Sequence, residues 1–364
     1  MKEKLKKYAK RYFIDAMGAM ALGLFASLLI GTIFKALGMI PIPKVSDFLT
    51  EVGSYGAKIA GPAMAVAIAY ALKAHPLVIF SSVLIGYMAN EKGGAGGPLA
   101  VLIIAIAASE IGMLVSKKTK VDILVTPFVT ILTGGLLSVL IAPPIGIAAG
   151  WVGSFIGWAT LQQPFLMGLI VSVVVGIALT LPISSAAICA AIGLSGMAMV
   201  GGVAALAPNN PEGLALAGGA AIAGCCAQMV GFAVMSFKEN KWGGLISQGI
   251  GTSMLQMPNI VRNPRIWIPT IVASAITGPL STCVFGLKMY GAAINSGMGT
   301  CGFLGPIGMI LGWFGGVYPE QVTVLDWVGL FLICFILPAV ISLGLSELLY
   351  KVKWIKPGDL KLED

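Results

Sequence analysis

The sequence carries few charges. Asp, Glu, Lys and Arg make up only 10% of its 364 residues, whereas they account for roughly a quarter of a soluble domain. Hydrophobic residues form 57% of the chain, and the mean hydropathy is +0.94. This composition excludes a soluble globular domain and predicts a protein of the lipid bilayer. At about 20 residues per helical span, the length allows roughly ten crossings.

The sequence lacks the residues that several kinds of chemistry require. His75 is the only histidine, and the six cysteines show no Cys-x-x-Cys spacing, so we expect no metal site. The sequence has no Walker-type phosphate loop, no Ser-His-Asp or paired-carboxylate set and no ladder of arginines. It therefore predicts no catalytic residue, no cofactor, no ATP-driven pump and no voltage gate. The net charge of +8 comes from lysines between apolar segments, which indicates cytoplasmic loops rather than binding to nucleic acid.

Ten apolar segments are predicted to be membrane spans. They are 13–34, 59–74, 76–90, 98–115, 122–142, 164–181, 185–207, 214–237, 266–287 and 326–349. With the N-terminus inside, most of the 23 Lys and Arg residues fall on the cytoplasmic side, as the positive-inside rule requires. We therefore predict a multi-pass protein of the plasma membrane with both termini in the cytoplasm and a first span that is retained. The mixed segments 41–58 and 145–163 are expected along the outer membrane interface.

A Gly-x-Gly-Thr element occurs twice in the C-terminal half. WGGLISQGIGTSMLQMP ends at Pro258, and the related YGAAINSGMGTCGFLGP ends at Pro306. The first has cytoplasmic flanks and the second has outer flanks, so we predict two re-entrant hairpins that enter the membrane from opposite faces. Non-helical backbone survives at membrane depth only where it is buried in protein or lines a polar cavity. Matching broken segments of this kind are typical of transporter binding sites.

The polar residues of the two elements are the candidate ligands of a small polar solute. Each needs a hydrogen-bonding partner in apolar surroundings, and the glycines allow turns and a close approach of the backbone. The candidates are Ser247, Gln248, Thr252, Ser253, Gln256, Asn259, Asn295, Ser296 and Thr300, with the hairpin glycines Gly249, Gly251, Gly297 and Gly299. The alternative is a pair of tightly packed glycine kinks that bind no ligand.

Other polar residues interrupt the apolar segments. Ser184 and Ser185, in TLPISSAAICA, either cap a helix or line the solute cavity. Gln228 makes either an interhelical hydrogen bond or a solute contact. Glu110 is either paired with nearby lysines at the inner interface or a residue of proton coupling. Glu91 is a second candidate for coupling, in a glycine loop (NEKGGAGGP) that is also expected to dip inward.

Four segments resemble the membrane EIIC proteins of the phosphotransferase system, in particular the branch that includes perfringolysin O regulator-like proteins. They are LPISSAAICAAIGLSG, CCAQMVGFAVMSFKENKWGGLISQGIGTSMLQMPNIVRNPRIWIP, INSGMGTCGFLGPIG and SELLYKVKWIKPGDLKL. The resemblance covers nearly the whole chain. It implies an all-α polytopic membrane protein with ten spans and re-entrant hairpins at 242–264 and 290–316. It also implies a dimer formed through the scaffold half (1–163) and an elevator-like movement of the transport half (164–364).

The resemblance is incomplete at the first hairpin. Sugar permeases of the wider superfamily carry an acid in a Gly-Ile-Thr-Glu motif and a histidine near the sugar. The nearest match here is Gly249-Ile250-Gly251-Thr252, which Ser253 follows, and the C-terminal half has no histidine. Phosphoryl transfer to a sugar hydroxyl profits from a positioned base. Any phosphorylation would therefore need a separate EIIB-type phosphocarrier.

Two functions are compatible with the sequence. The first is transport of a small polar solute, with a carbohydrate favoured, which a homodimeric permease holds between the two hairpins. The second is a membrane sensor or regulator that binds a ligand without moving it, as the toxin-regulator resemblance suggests. A channel fits poorly, because no ring of charges and no carbonyl filter can be identified.

Overall fold

Helices make up 81% of the structure. It is a computed structural model that describes residue 8 and residues 10–38, 44–200, 203–315, 318 and 321–362. Within those residues the strands form a single two-stranded sheet. The predicted all-α class is therefore confirmed.

The chain divides into two compact units, one up to Gly150 and one over Trp151–Leu362. The first unit consists of helices joined by short turns. They are α1 (Arg11–Gly38), α2 (Val45–Lys58), α3 (Ala60–Ala71), α4 (Pro76–Gly93), α5 (Gly97–Val115), α6 (Asp122–Leu140) and α7 (Ala142–Ala159), whose last part belongs to the second unit. Small residues allow close helix packing in membranes. A Cβ added at Gly31 of α1 would lie only 2.9 Å from the carbonyl oxygen of Gly53 in α2.

α4 and α5 correct the expectation for the NEKGGAGGP loop. α4 has 18 residues, about 27 Å of helix, and it includes residues 90–92, which the sequence assigns to the loop. The chain turns at Gly94, whose φ is +51°, and α4 and α5 pack against each other. α4 is therefore longer than the sequence predicts, and residues 90–92 belong to this helix and not to a loop that dips into the membrane.

α2 and α7 occupy the two segments expected at the outer interface. Segment 41–58 is helical from Val45 and packs along α1, while residues 41–43 lie outside the described residues. Segment 145–163 lies mostly in α7, where Trp151 and Trp158 are exposed. Placement of these helices at the membrane interface stays a prediction.

The second unit is arranged around one buried helix. Its elements are α8 (Pro164–Thr180), α9 (Ser185–Ala191), β1 (Met197–Val200), β2 (Val203–Leu206), α10 (Pro211–Met235), α11 (Phe237–Ile246), α12 (Met257–Arg262), α13 (Pro264–Val284), α14 (Leu304–Phe314) and α15 (Val324–Lys351). α10 packs against α8, α13 and α15, and its residues Gln228 and Phe232 are fully buried. It is therefore the core of this unit.

Segment 185–207 is not the helical span that its hydrophobicity predicts. It forms α9, of 7 residues, and then the antiparallel pair β1–β2. Four glycines interrupt GLSGMAMVGG, and each glycine in a helix interior costs about 1 kcal/mol relative to alanine. The chain still returns along the unit here, because α8 and α10 run in the same direction: Gly176 contacts Gly224, and Thr180 bonds to Gln228.

Six stretches of the described residues are helical, long and apolar enough to cross a bilayer. They are Arg11–Gly38, Pro76–Val115, Asp122–Ala159, Pro211–Met235, Pro264–Val284 and Val324–Lys351. α3, α8 and the stretch Cys301–Phe314 are shorter apolar helices. The protein is therefore a multi-pass helical membrane protein, and the count of ten spans stays a prediction.

Candidate functional site

The first Gly-x-Gly-Thr element lies at the tip of a helical hairpin, residues 237–262, which we call the first hairpin. Its first arm is α11 followed by a π-helical turn, Ser247–Gly251. Thr252 is extended, with φ −157° and ψ 142°, and the chain returns through α12. Asn240 in one arm and Asn259 in the other both bond to C-terminal residues. Both arms therefore begin at the end of the unit where α10 and α15 finish.

The second element lies at the tip of another hairpin, residues 290–314, which we call the second hairpin. Its first arm is extended and then 3₁₀-helical, and its second arm is α14. Between the arms, Gly299 and Phe303 have positive φ values of +52° and +58°. The base lies where α10 begins, because the backbone N–H of Met289 donates to the carbonyl oxygen of Ala215 at 2.9 Å.

The two hairpins approach α10 from opposite ends. The first tip lies against Ala233, whose Cβ is 3.4 Å from a Cβ added at Gly249. The second tip lies against Cys225, whose Cβ would be only 2.6 Å from a Cβ added at Gly299. These contacts are separated by about 12 Å along the helix axis. Residue 316, the predicted end of the second hairpin, lies outside the described residues.

The space between the two tips is apolar. It is a cavity of about 210 Å³, and α10, both hairpins and α15 line it. Thr300 carries a hydroxyl, while the other lining residues are apolar and include Val230, Ala233, Ile246, Ile250, Phe303 and Phe335. Polar groups are costly to bury in such surroundings without partners, so this space alone does not suit a polar solute.

A polar junction lies at residues 180–185, which we call the bridging segment. At its start, the hydroxyl oxygens of Thr180 and Ser253 are 2.8 Å apart, which links the segment to the first hairpin. At its end, the Ser185 hydroxyl donates to the carbonyl oxygen of Gly297 at 2.7 Å, which links it to the second hairpin. Gly297 is packed so closely that an added Cβ would lie 2.5 Å from the Ser185 carbonyl oxygen. The bridging segment therefore contacts both hairpins.

Gln228 connects three helices beside this junction. Its Oε1 accepts hydrogen bonds from Trp267 Nε1 at 2.8 Å and from the Thr270 hydroxyl at 2.9 Å. The Thr180 hydroxyl is 3.3 Å from the same oxygen, and Nε2 donates to the Ser274 hydroxyl at 3.3 Å. Gln228 therefore makes interhelical hydrogen bonds, as one of its two alternatives predicts, and the network reaches the first hairpin through Thr180.

Three predicted solute ligands are linked to one another in an amide ladder. Gln256 Nε2 donates to Gln248 Oε1 at 2.9 Å, and Asn259 Nδ2 donates to Gln256 Oε1 at 2.8 Å. The same two nitrogens donate to the carbonyl oxygens of Leu360 and Lys361, at 2.9 and 2.8 Å. Because an amide nitrogen carries only two hydrogens, the donors of Gln256 and Asn259 are fully used.

Residues 354–362, which we call the C-terminal strap, lie across the base of the first hairpin. The Glu239 carboxylate accepts the backbone N–H groups of Gly358 and Leu360 at 2.9 and 3.2 Å. Asn240 donates to the Leu360 carbonyl oxygen at 2.8 Å, and the Leu360 side chain is fully buried. Together with the amide ladder, these bonds attach the strap to both arms of the hairpin.

The hydroxyls of four other candidates bond to the backbone. Ser184 caps α9 by accepting the N–H of Ala187 at 3.1 Å, as its capping alternative predicts, while the cavity-lining alternative stays a prediction. Thr252 and Ser247 bond within the first hairpin. Ser296 donates to a backbone carbonyl oxygen in the turn that follows α9. None of these bonds joins the two hairpins.

Asn295 and Thr300 flank the residue that contacts the bridging segment. Asn295 is 7% exposed, and its amide nitrogen would lie 2.5 Å from a Cβ added at Gly308 in the returning arm. Thr300 is 1% exposed, and its hydroxyl has no hydrogen-bond partner among the described residues. Both candidates are therefore buried in the second hairpin, close in sequence to its contact with the bridging segment.

The two acids considered for coupling lie in the first unit. Glu110 Oε1 is 2.8 Å from Arg11 Nη2, and the Tyr12 hydroxyl donates to the same oxygen at 3.0 Å. The pairing alternative therefore holds for Glu110, with an arginine as its partner where nearby lysines were expected. Glu91 is exposed near the end of α4.

Thr180, Trp267 and the C-terminal strap contact the candidate residues, and the sequence candidates do not include them. Thr180 ends an apolar span, and a single hydroxyl there carries no signal of its own. The strap has a weak signal in the first hairpin and the residue that follows it, where many amides need acceptors. These amides are Asn240, Gln248, Gln256, Asn259 and Asn263.

Fold and site together define a class of protein: a multi-pass helical membrane protein in which two opposed hairpins meet a bridging segment beside one buried helix. The chain matches the family model described as Phosphotransferase system, EIIC, over residues 14–362, and it belongs to that family. None of the curated proteins compared with the chain matches it. EIIC domains are the membrane components of sugar permeases and work with an EIIB partner, so this is a membrane transport protein.

Proposed function

We propose that the protein is a permease that binds a neutral carbohydrate at the polar junction, where the bridging segment meets both hairpins. The observation that carries the proposal is the double attachment of this segment, through Thr180 to Ser253 and through Ser185 to Gly297. A solute that takes over either hydrogen bond changes what holds a hairpin in place. Binding is thereby coupled to movement of the hairpins.

The side chains around the junction favour a neutral, hydroxyl-rich solute. They are hydroxyls and an amide, which both donate and accept hydrogen bonds. None of them ionises at neutral pH, and charge within a bilayer is costly. A sugar presents matching donors and acceptors, whereas an organic acid or amine would need a counter-charge. The residues concerned are Thr180, Ser184, Ser253, Asn295 and Thr300.

The hairpins are proposed to re-enter the membrane from opposite faces. The first hairpin has its base at the end of the unit that carries Lys238, Lys241 and Arg262. The second has its base at the other end, near the ion pair of Lys288 and Glu212. The positive-inside rule makes the first base and the C-terminus cytoplasmic. With an even number of crossings, the N-terminus is cytoplasmic as well.

Movement is assigned to the C-terminal half, residues 164–364, as an elevator against a homodimeric scaffold of residues 1–163. This assignment rests on the family and on the compactness of the second unit. A separate EIIB-type phosphocarrier would donate any phosphoryl group. Ser253 stands where the wider superfamily has an acid, so a base for phosphoryl transfer would also have to come from that partner.

A thermal-shift screen of the detergent-purified protein against sugars, polyols, nucleosides and organic acids tests the proposal. A ligand stabilises the folded state by RT ln(1 + [L]/Kd), about 2.7 kcal/mol at a hundredfold excess over Kd. We expect a sugar to raise the melting temperature of the wild type and to have little effect on Asn295→Ala. Asn210→Ala is the matched control, because it removes a helix cap away from the junction and keeps the sugar response. An unchanged response in Asn295→Ala and Thr300→Ala would move the site elsewhere.

A further inference from the structure

The apolar cavity and the polar junction are neighbours along both hairpins. In the first hairpin, Ile250 lines the cavity and Ser253 bonds to the bridging segment. In the second, Thr300 lines the cavity and Gly297 bonds to the bridging segment. Three residues of chain span at most roughly 10 Å. One small molecule is therefore long enough to touch both surfaces.

A plain sugar bound at the junction would leave the apolar cavity unfilled. Its volume is about 210 Å³, and it opens to the surface beside Ile246 and Phe303. An aromatic ring fits in this volume, since an enclosed apolar cavity of roughly 150 Å³ binds benzene. An ordered water needs two to four polar partners, and among the lining side chains only Thr300 carries a polar group. The cavity is thus suited to an apolar group and not to water.

Thr300 is the lining residue with a polar side chain. Its hydroxyl is buried and has no partner among the residues that the structure describes. A buried hydroxyl without a partner is a cost to the folded state. An acceptor placed at the border between the cavity and the junction would remove this cost. The orphan hydroxyl therefore points to a ligand whose polar and apolar parts meet at an oxygen.

We propose that the solute is a glycoside with an apolar aglycone. Its sugar binds at the polar junction, its aromatic or short alkyl aglycone occupies the cavity, and the Thr300 hydroxyl donates to the glycosidic oxygen between them. This inference rests on the proposed function, because it names the substrate class of the same site. A plain sugar fills only the junction, and a lipid acyl chain fills only the cavity and offers Thr300 no acceptor.

Burial of the aglycone is expected to raise the affinity by a measurable factor. Full burial of an aromatic side chain of similar size is worth roughly tenfold to a hundredfold in an equilibrium constant. A phenyl glycoside is therefore expected to bind about tenfold to a hundredfold more tightly than its parent sugar. The aglycone enters past Ile246 and Phe303, whose side chains lie exposed at the rim of the cavity.

The test compares the affinities of purified full-length protein for a panel of hexoses and for their phenyl glycosides. In Ala233→Leu the added side chain fills the cavity, so the phenyl advantage is expected to disappear while binding of the parent sugar persists. In Thr300→Val, which keeps the shape and removes the hydroxyl, glycoside affinity is expected to fall about tenfold. Thr300→Ser is the matched control and keeps most of the affinity, because it retains the donor.

The outcomes separate the two proposals. Equal affinities for sugar and glycoside, or a phenyl advantage that survives Ala233→Leu, would overturn the glycoside and leave the sugar permease standing. Binding of neither compound across the panel would count against both. If Ala233→Leu changes only the amount of co-purified lipid, as mass spectrometry would detect, an acyl chain fills the cavity and the glycoside proposal is wrong.

Discussion

Gly299 and Gly251 occupy equivalent places in the sequence repeat, yet their backbones differ. Gly299 has a φ of +52°, in the left-handed region that residues with a Cβ disfavour. Gly251 ends a π-helical turn, and its φ is not positive. The repeat therefore predicts the two places where the chain reverses. It does not predict the backbone conformation of each turn, because several geometries accommodate the same glycines.

Replacement of Gly299 by alanine is expected to destabilise the protein by about 2–4 kcal/mol. The new Cβ would be strained at positive φ and would lie 2.6 Å from the Cβ of Cys225, and each effect typically costs one to a few kcal/mol. Gly249→Ala is the matched control, because its added Cβ would make an ordinary 3.4 Å contact. Thermal unfolding in detergent measures both variants. Equal melting temperatures would contradict this description of the second tip.

Buried amides illustrate what residue-level reasoning predicts and what it misses. The rule that each buried polar group needs a partner correctly singles out Gln228, Gln256 and Asn259. It does not identify the partner, because that depends on which segments meet in space. The tail carbonyls of Leu360 and Lys361 lie about a hundred residues away in sequence, so a distant segment and not a solute supplies the acceptors.

At the scale of elements, hydrophobicity predicts the path of the chain better than it predicts its secondary structure. Segment 185–207 is apolar enough for a span, and the chain does return along the second unit there, but as α9 and β1–β2. Glycine content was the better guide, since both Gly-x-Gly-Thr elements lie at chain reversals. The bridging segment could not be predicted, because its importance lies in contacts with two hairpins distant in sequence.

The C-terminal strap is expected to hold the first hairpin and not the second. A stop after Lys356 removes the strap residues that bond to Glu239, Asn240, Gln256 and Asn259. Each such bond contributes roughly 1 kcal/mol, so we expect amide hydrogen exchange in residues 240–262 to accelerate by tenfold or more. Exchange in residues 293–312 should stay as in the wild type.

Hydrogen–deuterium exchange with mass spectrometry measures both hairpins in one experiment. Lys353→Ala is a suitable control, because this exposed residue precedes the bonded part of the strap and its loss leaves those bonds in place. Unchanged exchange in the first hairpin of the truncated protein would refute the strap's role. Equal acceleration in both hairpins would indicate general loosening of the second unit.

At the scale of the whole molecule, composition is the strongest predictor. Few charges and long apolar segments predict a helical membrane protein, and the helices and the family match agree. Direction of transport and solute do not follow from composition, because they depend on a handful of polar groups. We propose that those groups lie at the junction of residues 180–185 with the two hairpins.

Uptake into proteoliposomes shows whether the protein moves its solute across a membrane. The radiolabelled compound with the highest affinity in the binding panel is added outside vesicles that contain the purified wild-type protein. We predict saturable accumulation above that of protein-free vesicles, half-maximal near the measured Kd, and loss of uptake in Asn295→Ala. Specific binding without any uptake, with a phosphoryl-donating partner present as well as absent, would contradict the account and make the protein a sensor.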